Sequence, residues 1–263
     1  MHCALVMQIA VPKNITQIPL FADLSEQEKS VFLQEGKIRQ YSTDQKLFIY
    51  GDQIRQFYIV CEGGFQLFRE TPDGHEMTSD VVISGDTIGE AEILNSQPTH
   101  QFNAVAVKNS TVMEFPIERV REHVKQNGTL TLNLLTMLSR RIHLANLEAE
   151  HKSTMSAAQQ VVCFLERLCV LRGYDPRGFD LPYSKTLIAS RMGMELETFS
   201  RALGKIREHG ISVIDTRVSF TDIEEMESYV CSDCSISDNC KEHEVVKDLL
   251  LSRKPYSGNR SRA

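Results

Sequence analysis

Between about residue 18 and Pro116 the chain is cut at near-regular intervals by turn-forming pairs: Gly51-Asp52, Gly63-Gly64, Asp73-Gly74 and Gly85-Asp86. Turns about 8 to 12 residues apart leave room only for short strands, so this region is expected to fold as an all-β roll. The intervening segments agree, since Phe57-Tyr58-Ile59-Val60, Phe65-Gln66-Leu67-Phe68 and Val81-Val82-Ile83 alternate or are solidly apolar. A short helix over Ser25 to Gln34 should precede the roll, because Ser25 and Glu28 are spaced as a capping box.

After Pro116 the period becomes helical. Leu135, Leu138, Ile142, Ala145 and Ala149 step by three and four, a stripe that suits a parallel helix pair, so this stretch is read as a dimerisation helix; packing on the parent domain is the alternative. Ser153 to Arg172 reads as the next helix, with Val161, Leu165, Leu168 and Cys169 on one face and Gln159, Cys163, Glu166 and Val170 towards the other. Ser184 to Met192, then Gly193, then Leu196 to His209 is a helix, a turn and a second helix stopped by Gly210. Ile211 to Phe220 reads as two short strands around a tight turn, which makes the unit a winged helix-turn-helix.

The expected class is therefore α+β: a jelly-roll-like N-terminal β-roll of the cyclic-nucleotide-binding kind, a long dimerisation helix and a C-terminal winged helix-turn-helix. The expected divisions are an extension over 1–17, the sensor roll over 18–116, the helix region over 117–152, the DNA-binding domain over 153–225 and a cysteine-containing tail over 226–263. A length of 263 residues suits two cores. No run approaches the roughly 18 apolar residues of a membrane span, and Ala4 to Val11 is interrupted by Gln8 and lacks a basic leader. A cytoplasmic protein without a membrane partner is expected.

The net charge of −6 argues against a polycation that coats nucleic acid, yet it is unevenly spread. Residues 181–220 carry six Lys or Arg against four acids, whereas 221–248 carry two Lys against nine acids. The positive stretch holds the helix-turn-helix. There Glu197, Ser200 and Arg201 fall within one helical turn, so all three can face a groove floor together. Arg can grip guanine O6 and N7, Glu can accept from cytosine N4, and Ser suits either base. Lys185, Lys205 and Arg217 are candidate phosphate contacts. The plainer reading of Glu197 and Arg201 is a surface ion pair. Glu195 stands where Ser or Thr would cap the second helix, so that end is weakly capped.

The run Glu197-Thr198-Phe199-Ser200-Arg201, with the turn and wing around it, resembles the recognition-helix signature of the Crp/Fnr superfamily of bacterial transcription regulators, Fnr-like branch. The resemblance covers about residues 18–225. It implies a homodimer without catalytic activity that reads a palindrome of TTGA-type half-sites in double-stranded DNA and works with RNA polymerase. It also makes the β-roll a former or current effector pocket. Cyclic-nucleotide-binding members hold the phosphate with Gly-Glu followed by Arg-Ser; Gly89-Glu90 is present here, but His100-Gln101-Phe102-Asn103 replaces Arg-Ser and no cation lies between Asp86 and Lys108. A buried phosphate without a cation is costly, so cyclic AMP is not expected to bind. Haem-binding relatives direct attention to His2, Cys3, His75, His100 and His123, each more simply read as a surface histidine or an incidental thiol.

Seven cysteines without an export signal point away from a disulfide framework. Cys231, Cys234 and Cys240 form C-x2-C-x5-C in a short acidic segment, and three nearby thiols make a ready metal chelate. With His243 they would suit zinc; a thiol switch without metal is a third reading. The segment resembles the cluster-binding motif of the Fnr branch, which lies N-terminally there, and this implies an iron–sulfur cluster, 4Fe-4S, that senses oxygen, nitric oxide or redox state. The roll position that supplies the branch's fourth cysteine is Met113 here. Cys163 is the chosen replacement, with Cys169, Cys61, Cys3, His243 or an Asp as alternatives.

Overall fold

In the computed structural model, residues 15–94 and 99–230 are described, together with Cys234, Ile236, Cys240, 244–246 and Asp248. They fall into two compact units that divide between Ile142 and His143.

The first unit opens with two short 3-10 turns, Ile15–Gln17 and Pro19–Phe21, and helix α1 (Glu26–Leu33). Ser25 caps α1 as its spacing with Glu28 predicts: the Glu28 amide donates to Ser25 Oγ, and the Glu28 carboxylate accepts from the Ser25 amide at 2.8 Å. Eight strands follow: β1 (Lys37–Tyr41), β2 (Lys46–Phe48), β3 (Gln56–Glu62), β4 (Gly64–Glu70), β5 (Glu76–Ile83), β6 (Thr87–Ile88), then after helix α2 (Glu90–Leu94), β7 (Asn103–Ala106) and β8 (Ser110–Pro116). They form two antiparallel four-stranded sheets, ordered β1-β8-β3-β6 and β2-β7-β4-β5.

Strand β3 explains why Phe57 to Val60 is solidly apolar. Tyr58 and Val60 join Phe65, Val82, Ala104 and Ala106 in one core cluster that draws on both sheets, while Phe57, Ile59 and Cys61 enter a second with Phe21, Phe32 and Phe115. A strand covered on both faces loses the polar half of its alternation. Helix α3 (Ile117–Gln126) adds Val120 and Val124 to the second cluster, and α4 (Gly128–Thr154) adds Leu130 and Leu134 from its first turns.

Helix α4 ends in the second unit. The expected helix over Ser153 to Arg172 is in fact two pieces: α4 stops at Thr154, and Ser156 begins α5 (Ala157–Arg172) with a capping box to Gln159. The cap outcompetes continuity of the helical pattern. Then come β9 (Phe179–Asp180), α6 (Lys185–Arg191), α7 (Leu196–Ile206), β10 (Ile211–Ile214), β11 (Arg217–Phe220) and α8 (Ile223–Val230). The wing is a three-stranded antiparallel sheet, β10-β11-β9, with Val213 opposite Val218 and Val218 opposite Phe179.

Helix α5 is buried on more of its circumference than its pattern suggests. Gln159 and Glu166, expected on the outer face, are 5% and 2% exposed. Gln159 Nε2 donates to the Tyr229 carbonyl at 3.0 Å, so the end of α8 covers that side and satisfies the polar group it buries. Among the described residues no helix is long and apolar enough to cross a membrane.

Candidate nucleic-acid interface and cysteine segment

Ser184 caps α6 by accepting from the Leu187 amide at 3.2 Å, and Met192 ends it. The turn to α7 needs Gly193, which adopts φ +67°, a left-handed value open to glycine at little cost. Gly210, at φ +77°, stops the segment after α7, and a Cβ there would strike the Asp222 backbone. Recognition helix and wing are thus held close by a residue without a side chain.

Helix α7 divides cleanly. Phe199, Ala202 and Ile206, at three- and four-residue steps, lie in the core of the second unit. Glu197, Ser200, Arg201 and Lys205 are exposed, and Thr198 is half-buried. Arg201 Nη2 stands 3.3 Å from Glu197 Oε1, with the two side chains 72% and 81% exposed. The surface ion pair therefore forms, and both groups remain open to solvent, where such a pair is held loosely. Glu195 makes no capping hydrogen bond, as its type predicts. Lys185 is half-buried at the start of α6; Arg217 is exposed on the wing, 3.5 Å from Asp180. Lys205 Nζ lies 5.5 Å above the Tyr229 ring, which also stacks on His209 at 3.7 Å.

The stripe on α4 is largely uncovered in the single chain. Leu135 and Ile142 are 48% and 63% exposed, Ala145 and Ala149 are exposed, and Leu138 packs partly on the first unit's core.

In the roll, Glu90 is 2% exposed; the Thr87 hydroxyl donates to it and Arg141 Nη2 stands 3.0 Å from its carboxylate. Burial pushes the carboxyl above its ordinary pKa, against the pull of Arg141. The sequence identifies Glu90 but gives no sign that α4 supplies its partner. His100 stacks on Phe48 with ring centroids 3.6 Å apart, and burial pushes its pKa down to about 4. His75 is exposed beside Asp73, and His123 lies 3.3 Å from Glu35. His2 and Cys3 lie outside the described residues.

Of the C-x2-C-x5-C thiols, Cys231 lies outside the described residues, as does His243; Cys234 and Cys240 are half-buried. Cys234 Sγ faces His151 Nε2 at 3.6 Å. His151 belongs to the last turn of α4, is 4% exposed, and its Nδ1 has no hydrogen-bond partner among the described residues. Burial and then the neighbouring Arg167 hold the imidazole below its ordinary pKa, which favours the neutral ring. A small open pocket is bordered by His151, Glu148, Lys152, Arg167 and Arg191. Glu148 accepts from Arg191 at 3.1 and 3.3 Å and lies 3.9 Å from Arg167, whose buried Nη1 has no partner among the described residues.

Cys163 is half-buried against the second unit's core. Cys169 is fully buried, its Sγ 3.3 Å from the Tyr174 carbonyl, and burial pushes the thiol up to about 12; Cys61 donates to the Ile59 carbonyl at 3.7 Å and is pushed up to about 11. Among the described residues, no three His, Cys, Asp or Glu side chains stand close enough to hold a metal ion. The pair that does form is a thiol against an imidazole, with Arg167 buried close by. The meeting of His151 with Cys234 leaves no mark in the sequence, because a histidine at the end of a long helix has no fixed spacing to a cysteine 83 residues on.

Comparison with known proteins follows these features. The family described as a cyclic nucleotide-binding domain matches residues 38–127, and that described as a Crp-like helix-turn-helix domain matches 159–229. The nitrogen fixation regulation protein FixK of Bradyrhizobium diazoefficiens is 28% identical over 206 residues, covering 76% of this chain and 85% of its own. The fumarate and nitrate reduction regulatory protein of Vibrio cholerae is 26% identical over 217 residues, covering 80% and 82%. The solved structure of FixK2 from Bradyrhizobium japonicum matches with a TM-score of 0.64 at 18% identity, over 74% of this chain and 96% of that one, and so shares the fold.

Proposed function

The chain belongs to the Crp/Fnr family of DNA-binding transcription regulators, and from that membership we propose a redox- or gas-responsive homodimer that reads a palindromic operator and carries an iron–sulfur cluster on its C-terminal cysteines. The observation that carries the DNA half is the division of α7: its apolar face is spent on the core and its Glu197, Ser200 and Arg201 face is left to solvent.

Arg201 and Glu197 exchange their mutual ion pair for base edges on docking, Ser200 and Thr198 line the same edge, and Lys185, Lys205 and Arg217 add phosphate contacts. The α4 stripe of Leu135, Leu138, Ile142, Ala145 and Ala149 pairs two chains, so that two recognition helices address two half-sites. The protein works in the cytoplasm with RNA polymerase.

The sensing half rests on the C-x2-C-x5-C spacing and on the meeting of Cys234 with His151. When bound, a cluster supplies a centre labile to oxygen or nitric oxide. Cys231, Cys234 and Cys240 would hold it, with Cys163 as the fourth donor named by the sequence. The acidic segment 221–248, which carries these thiols, repels DNA phosphate when it lies near and not when it is withdrawn. Occupancy of the thiols shifts the population of DNA-competent dimers by fixing that segment. The test is purification without oxygen, followed by iron, sulfide and zinc analysis and operator footprinting before and after exposure to air. Iron with sulfide and a footprint that changes in air support the reading. A colourless protein with one zinc per chain and an unchanged footprint overturns it.

A further inference from the structure

Resting on the dimeric operator reading above, we propose that Glu148 is a positioning residue for DNA recognition: its carboxylate latches the first helix of the helix-turn-helix to the end of α4 and so sets the angle at which each recognition helix meets its half-site. The contact joins residues 43 apart in sequence. Arg191, the last residue of α6, donates through Nη1 and Nη2 to the two carboxylate oxygens at 3.1 and 3.3 Å, and Arg167 of α5 stands 3.9 Å from the same group. With its side chains 26% and 22% exposed, this pair is screened by water far less than Glu197 and Arg201.

The surroundings leave this join to polar contacts. Helices α5, α6 and α7 share one apolar cluster through Leu165, Ile188 and Phe199, and among the described residues α4 contributes no side chain to it. Only Met155 and Ser156 separate α4 from α5, and Ser156 opens a new capping box there. Helix ends of this kind absorb changes in φ and ψ, so the direction of α4 is not carried across by the backbone alone. Lys152 supports the placement of the latch. It lies one turn beyond Glu148 on the same face, and its Nζ is 3.7 Å from where a Cβ on the turn residue Gly193 would stand.

Function follows from the geometry of a palindrome. Two recognition helices address half-sites about 34–36 Å apart, one turn of DNA, and an error in the angle between each helix and the dimer axis is felt at both. Ala145 and Ala149 of the pairing stripe flank Glu148 on α4, so the latch starts on the helix that carries the dimer seam and acts on DNA only through Arg191 and α6. Neutralising Glu148 does more than release Arg191, because Arg167 and Arg191 then lose the counter-ion they share.

Mobility-shift titration of the full chain tests this with three DNA probes: a TTGA-type palindrome at the spacing the wild type binds best, the same palindrome with one base pair added between its halves, and a single half-site in DNA of equal length. Glu148→Gln and Arg191→Gln should each weaken binding to the first probe about tenfold, and the double variant should lose no more than either, because both remove one contact. Binding to the single half-site should hold within about twofold, which also reports that the helix-turn-helix is folded. The preference for the best spacing over the lengthened one should shrink, and both variants should sediment as dimers. Equal losses on palindrome and half-site, additive losses in the double variant, an unaltered spacing preference or a monomer overturns the latch while leaving the operator reading standing. A wild type that binds the palindrome no more tightly than the single half-site removes that reading and the latch together.

Discussion

Arg141 Nη2 lies 3.0 Å from the carboxylate of Glu90, so the long helix closes over an acidic group that the roll keeps almost wholly from solvent. Replacing Arg141 with Ala leaves a buried carboxylate uncompensated and should lower stability by roughly 2–3 kcal/mol in denaturant unfolding. The double variant with Glu90→Gln should recover most of that loss. Because the carboxylate is already occupied and no cation lies nearby in sequence, titration calorimetry with cyclic AMP should give no binding heat in either background.

Arg201→Ala should weaken binding to a TTGA-type palindrome by about 1–3 kcal/mol in a mobility-shift assay, with selectivity lost at one base pair of each half-site. Its melting temperature should barely move, since the pair with Glu197 is exposed and contributes at most about 1 kcal/mol.

Lys205→Gln or Arg217→Gln should act differently. Affinity should fall for all sequences alike, and the slope of log affinity against log salt should flatten by about one unit per removed contact.

Ile142→Glu should convert the dimer to a monomer in sedimentation while leaving the circular dichroism spectrum intact. Ile142 is 63% exposed in the single chain, so a carboxylate there meets water in the monomer and an apolar partner only in the pair.

His100 sets a pH dependence. Its pKa is lowered from 6.5 to about 4 by burial, so the folded protein binds fewer protons than the unfolded chain between those values. Stability should therefore fall as pH drops from about 6.5 towards 4, and chemical denaturation of His100→Phe across that window should show a flatter profile.

Much of the architecture is legible because its signals are local. The turn pairs bound the strands, Ser25 with Glu28 and Ser184 start their helices, and Gly193 and Gly210 sit where the chain needs left-handed backbone. Local signals compete, however, and Ser156 with Gln159 divides a helical pattern that reads as continuous. The two-residue strand β9 escapes because it is too short to show a period. The polar side of α5 misleads for a different reason: Gln159 is buried because the Tyr229 carbonyl, 70 residues away, accepts its hydrogen bond. On α7 the exposed and buried side chains separate within one helical turn, and the helical period makes that division legible in the sequence. The partners of Glu90 and Cys234 arrive from a helix 51 and 83 residues distant, and no spacing rule encodes such meetings.

Tyr229 has a consequence beyond its own packing. It is two residues short of Cys231, its carbonyl is fastened to the first turn of α5, and its ring is sandwiched with His209 beneath Lys205 of the recognition helix. One aromatic ring therefore separates the start of the tail from the exposed face of α7. Tyr229→Ala should loosen the cysteine-bearing tail and the recognition helix together.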